Sequence, residues 1–89
     1  MNKYFNATRL IPLDYKGRRI KKVRHFIDNK YIHIDEADII TKKGKGGYTS
    51  LPMKFLPEYL LWLTPGTRKA FLKGIPTDDI INNIEDYWD

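Results

Sequence analysis

"ITKKGKGGYTSLP", residues 40–52, sets three lysines and three glycines into the six positions 42–47, between two runs that favour extended backbone. Ile39, Ile40 and Thr41 are β-branched, and Tyr48, Thr49 and Leu51 follow the glycines; this predicts a strand over 38–43 and a second after the turn. Glycine reaches positive φ without a Cβ penalty, so Gly44, Gly46 and Gly47 are expected to supply those values in a loop of about four residues. A flexible linker would be richer in serine and would not separate two β-prone runs. The stretch therefore reads as a β-hairpin. With little side-chain bulk at its tip, the ammonium groups of Lys42, Lys43 and Lys45 and the backbone N–H groups can approach a phosphate together.

Upstream, "GRRIKKVRHFIDNK" predicts a helix ending near Asn29. Ile20, Val23 and Ile27 fall at i, i+3 and i+7 beside Phe26 and form one apolar stripe. Arg18, Lys21, Lys22 and His25 occupy the other face, and Arg19 and Arg24 flank the stripe. Six cations fall within Lys16–Arg24, a density suited to phosphate contact and equally compatible with a solvated helix. Residues 2–10 read as a short strand or turn leading into a helix limited by Pro12, with Asn6 and Thr8 as caps. "YIHI", 31–34, alternates like a half-buried strand. "DEADII" fits either a helical face capped by Asp35 or the strand, and strand is preferred for 38–43.

Downstream, Pro57 suits the first turn of a helix "PEYLLWL", Thr64-Pro65-Gly66 breaks it, and "TRKAFLKG" makes a second helix stopped by Gly74. A last helix over 77–89 begins with Thr77 as cap and Asp78 and Asp79 in its first turn. Ile80, Ile84 and Trp88 form its seam. Trp62, Phe55 and Phe71 are assigned to the core, whereas Tyr15 and Tyr48 are placed to stack on bases.

Eighty-nine residues make one domain that buries roughly 60 to 65% of its unfolded surface. Within it, residues 1–76 form a basic α+β body and 77–89 an acidic C-terminal helix. Sixteen Lys and Arg face six carboxylates before residue 78, and five carboxylates follow with no base, so a net +10 precedes a net −5. That division points to a polyanion, with the tail turned away from it or folded over its site. Packing of the tail's seam into the core is preferred to competition with DNA. There is no cysteine. The longest apolar run, "YLLWL", is too short to span a bilayer and "MNKYFNATRL" lacks a signal-peptide core, so a soluble cytoplasmic protein without a membrane partner is expected. On that expectation Asn6-Ala7-Thr8 is a chance glycosylation sequon.

Catalysis is not expected. No Cys nucleophile is present, and the Gly-Lys mixture lacks the final Lys-Ser/Thr of a phosphate-binding loop. His33, Asp35, Glu36 and Asp38 lie close in sequence, but such carboxylates read as a solvated edge or caps rather than a metal site. No cofactor is implied.

The order "FNATRL", "KKVRHFIDN", "TKKGKGGYT", "WLTP" resembles the KilA-N domain, a DNA-binding module of phages and large DNA viruses related to fungal APSES domains. Asn6, Ala7 and Thr8 match its first motif. Gly44, Gly46, Gly47 and Thr49 match its glycine segment. Trp62, Leu63 and Pro65 match the last, with Thr64 in place of Ser, while Phe26 and Ser50 stand where the family has Trp. The resemblance spans about residues 4–75. It implies a winged-helix-like α+β fold, a phage origin in a bacterial host cell, and double-stranded DNA binding with the hairpin as wing. The expected contacts are Arg18, Arg19, Lys21, Lys22, Arg24, Lys42, Lys43, Lys45 and Tyr48, in a regulator or antirepressor. Two other readings stand beside it: an effector occupying a host nucleic-acid-processing or defence protein, and single-stranded DNA or RNA binding.

Overall fold

The computed structural model describes residues 3–29 and 33–88. Among them, strands β1 (Tyr4–Asn6), β2 (Ile40–Lys42) and β3 (Tyr48–Pro52) and helices α1 (Val23–Ile27), α2 (Leu56–Leu63), α3 (Pro65–Leu72) and α4 (Thr77–Asn82) form a small α+β domain. The strands make one antiparallel sheet in the order β1-β3-β2. Lys42 stands opposite Tyr48, so the hairpin loop has five residues, 43–47, one more than expected. Gly44 and Gly46 hold φ of 104° and 76°. Gly47 does not, and its glycine answers a different need: a Cβ there would lie 2.5 Å from the Lys42 carbonyl oxygen. Before β2, residues Glu36–Asp38 form a 3-10 turn, and the strand is confined to 40–42. Of "YIHI", residues 31 and 32 lie outside the described residues; His33 is exposed, Ile34 is buried, and neither belongs to a strand.

The core gathers where the sheet meets α2. Phe5 of β1 faces Leu51 of β3 across the ladder, and both are buried with Leu56, Leu60 and Leu63 of α2. Tyr59 lies at the centre, fully buried, with ring centroids of Phe26, Phe5 and Trp62 at 4.8, 5.2 and 5.6 Å. Its hydroxyl donates to the Ala7 carbonyl at 2.6 Å, and burial raises its pKa far above the ordinary phenol value. Trp62, Phe55 and Phe71, expected in the core, pack against it half-buried.

The predicted basic helix is the main correction. Helix α1 covers 23–27 alone, because the chain before it is held in a turn. Asp14 Oδ1 accepts hydrogen bonds from the Lys16 and Arg18 amides at 2.8 and 2.9 Å, and Gly17 takes φ 76°. These local bonds compete with helical ones. Leu13 then bridges Arg19, Lys22 is extended, and Ile20 is left 53% exposed instead of joining the apolar stripe.

Helices α2 and α3 are joined through the single extended residue Thr64. The Thr67 amide donates to Thr64 Oγ1 at 3.1 Å while the Thr64 amide donates to Thr67 Oγ1 at 3.0 Å, a reciprocal cap. Thr64 Oγ1 also donates to the Tyr87 carbonyl at 2.7 Å. That carbonyl lies so close to Gly66 that a Cβ there would meet it at 2.5 Å. The acidic C-terminal segment is therefore docked on the first turn of α3. It is not one helix over 77–89. Helix α4 ends at Asn82, a 3-10 turn covers Ile84–Tyr87, and Pro76 rather than Thr77 precedes the first helical residue. Ile80 and Ile84 are buried as the seam requires, and Trp88 Nε1 donates to the Leu10 carbonyl at 2.9 Å.

Candidate nucleic-acid interface

The tip of the β2–β3 hairpin is built from residues that place charge and remove bulk. Lys42, Lys43 and Lys45 are exposed, and none forms an ion pair among the described residues. The Gly47 amide closes the loop on the Gly44 carbonyl at 2.9 Å. Beside the loop, Asn6, Thr8, Arg9, Arg19, Gly46, Gly47 and Tyr48 line an open cleft of about 400 Å³. One wall is glycine backbone and half-buried Tyr48; two arginines stand in the lining with it.

The segment Asn6-Ala7-Thr8 holds this cleft together. Asn6 Oδ1 accepts the Arg9 amide at 3.1 Å. The Ala7 amide donates to the Thr49 carbonyl, and Thr8 Oγ1 accepts the Thr49 amide, both at 2.9 Å. Asn6, Ala7 and Thr8 thus each have a structural duty at the base of the hairpin.

The cations of 18–24 are dispersed and mostly engaged. Arg18 pairs with Asp14 at 3.2 Å, where the backbone hydrogen bond from Arg18 leads the causes that lower the Asp14 pKa. Arg24 pairs with Glu36 and, at 3.3 Å, with Asp28; the hydrogen bond between Arg24 and Glu36 lowers the Glu36 pKa and raises that of Arg24. Lys21 turns inward. Its Nζ donates to the Trp62 and Leu63 carbonyls at 3.0 and 2.8 Å and lies 4.5 Å from the Trp62 ring centroid, satisfying the C-terminus of α2. Partial burial lowers its pKa. Arg19 donates one Nη1 bond to the Ile11 carbonyl at 2.8 Å and still lines the cleft. Lys22 is exposed with no ion-pair partner among the described residues.

The structure therefore brings Lys42, Lys43, Lys45, Tyr48 and Arg19 to one end and leaves Arg18, Lys21 and Arg24 in other work. Arg9 is the residue that sequence reading missed. It follows directly on Asn6-Ala7-Thr8, and its isolation from the 16–24 cluster hid it. Arg9 and Arg19 also line a second cleft of about 430 Å³ with Asn82, Asn83, Ile84, Glu85, Asp86 and Trp88, so they stand between the hairpin and the acidic segment. No ion pair within 4 Å joins them to it among the described residues.

Tyr15 is 91% exposed on the turn before α1, with Lys16 Nζ 5.6 Å from its ring centroid. Among the described residues no three His, Cys, Asp or Glu side chains cluster as a metal site, and no helix is long and apolar enough to cross a membrane. No family model, curated protein or solved structure matches the chain.

Proposed function

We propose that this chain is a non-enzymatic protein that binds double-stranded DNA, with the β2–β3 hairpin as a wing in the manner of winged-helix and KilA-N modules. The observation that carries the proposal is the set of three lysines on a glycine-shaped hairpin, none in an ion pair among the described residues, next to a cleft lined by Arg9 and Arg19. Phosphates need cations whose charge is not already compensated, and backbone that admits them closely. The hairpin supplies both. Lys22 adds a further cation, and Tyr48 is placed to brace a sugar. A phage-type regulator or antirepressor, working in the cytoplasm of a bacterial host, is the role the resemblance to KilA-N modules implies.

Binding to a short labelled duplex of random sequence, and to its single strand, across a salt series tests the proposal. With about four to six phosphate contacts the log-log salt slope is roughly −4 to −5. Changing Lys42, Lys43 and Lys45 together to Ala flattens it by roughly 2 to 3 without unfolding the domain. Absence of duplex binding at low salt rejects the reading, and tighter binding to the single strand transfers it to single-stranded nucleic acid.

A second reading, a host-protein partner, draws on Leu13, Tyr15 and Ile20, all exposed on one turn. Recovery of one stoichiometric protein from nuclease-treated host lysate, lost on replacing Tyr15 and Ile20 by Ser, would favour it.

A further inference from the structure

Helix α3 presents a face that neither the hairpin nor the basic 16–24 segment accounts for. Pro65, Arg68, Lys69, Leu72 and Lys73 follow the spacing i, i+3, i+4, i+7, i+8 and are all exposed, while Thr67 and Ala70 on the other side are buried. None of the three cations forms an ion pair among the described residues. Leu72, 66% exposed, lies between them. At about 100° per residue, Arg68 is about 40° to one side of Leu72, and Lys69 and Lys73 are about 60° and 100° to the other. A single exposed leucine needs no explanation; one flanked on both sides by uncompensated cations does.

The face is held on a rigid support. The reciprocal Thr64–Thr67 cap and the Gly66–Tyr87 approach fix the start of α3, and Gly74, at φ 88°, ends the turn after it. Its eight residues give a helix about 12 Å long. The major groove of B-DNA, about 12 Å wide, admits a helix between two rows of phosphates and exposes thymine methyl groups on its floor. Cations on both flanks with an apolar residue between them match that cross-section.

We infer that α3 lies in the major groove, with Arg68 on one phosphate row, Lys69 and Lys73 on the other, and Leu72 against base edges. This rests on the duplex-binding reading and extends it to sequence discrimination. The hairpin then supplies affinity on the backbone, and α3 supplies the contact that depends on the bases.

Three proteins and the wild type test this in parallel: R68Q/K69Q/K73Q, K42A/K43A/K45A, and L72A. Gln preserves helix propensity, and all seven positions are exposed, so thermal melts should coincide. In the expected result each triple variant has a salt slope shallower by roughly 2 to 3 on random duplex. L72A keeps the wild-type slope but loses or changes the sequence enriched from a randomised duplex library. A wild-type slope in R68Q/K69Q/K73Q, with a shallower one in the hairpin variant, overturns the inference while leaving duplex binding intact. If that variant also loses binding to a polyglutamate probe, the face belongs to an acidic protein instead. Wild type that enriches no sequence, or L72A that enriches the same one, removes Leu72 from the groove. Wild type that binds no duplex removes the underlying reading, and this inference with it.

Discussion

Tyr59 joins three parts of the chain through one side chain: its ring packs against Phe5 and Phe26 and its hydroxyl donates a hydrogen bond to the Ala7 carbonyl. That carbonyl also accepts the Leu10 amide at 3.3 Å, so Tyr59→Phe removes one of its two donors without orphaning it, at a cost of about 0.5 to 1.5 kcal/mol in urea unfolding. Phe retains the ring packing, so the m-value should not change. Lys21 illustrates the opposite lesson, a cation in a basic run whose work is structural. Lys21→Met should cost about 1 kcal/mol, since two half-exposed carbonyl contacts and the contact with the Trp62 ring are lost. The same variant should leave the slope of duplex binding against salt unaltered, whereas Lys22→Ala should flatten it by roughly 0.9. Equal effects from the two lysines would mean that Lys21 leaves α2 to meet the ligand.

Among the elements, the hairpin and the α2–α3 pair were legible because their punctuation is local. Glycines at 44 and 46 mark the turn they make, Pro57 falls in the first turn of α2, and Thr64-Pro65 ends that helix, although α3 begins at Pro65 itself, two residues before the expected start at Thr67. The basic helix was misread because its apolar spacing survives only over five residues, and the residue that ends it on the N-terminal side, Asp14, lies outside the periodic segment. The dispersal of its charges was hidden for another reason: Lys21 meets α2 across some forty residues, and Arg24 meets Glu36 across twelve. Periodicity carries no information about such pairings. Of the candidate site, the lysines of the hairpin could be read directly, but Arg9 could not, since only folding brings it beside Gly46. Gly47 is the element's most constrained position. Gly47→Ala puts a methyl 2.5 Å from the Lys42 carbonyl oxygen, so β2 must shift away from β3. Amide exchange at Lys42 and Tyr48, which face each other in the ladder, should accelerate, and duplex affinity should fall further than the thermal midpoint suggests.

For the molecule as a whole, the separation of charge along the chain does not translate into a detachable acidic tail. Ile80 and Ile84 are buried, Tyr87 receives the Thr64 hydroxyl, and Trp88 reaches Leu10. Truncation after Gly74 removes all of these, and the expected outcome is a chain without a cooperative thermal transition. A folded truncated protein that binds duplex more tightly would instead make the segment an autoinhibitor. The bond between Trp88 and Leu10 spans 78 residues and has a consequence for biosynthesis. Synthesis from the N-terminus exposes Phe5, Leu10 and Ile11 well before the hydrogen-bond donor and apolar seam that cover them are made. Until translation has passed residue 88, the nascent polypeptide carries an uncovered apolar surface and, on its hairpin, three exposed lysines. A ribosome, itself a polyanion, is the first surface those lysines meet.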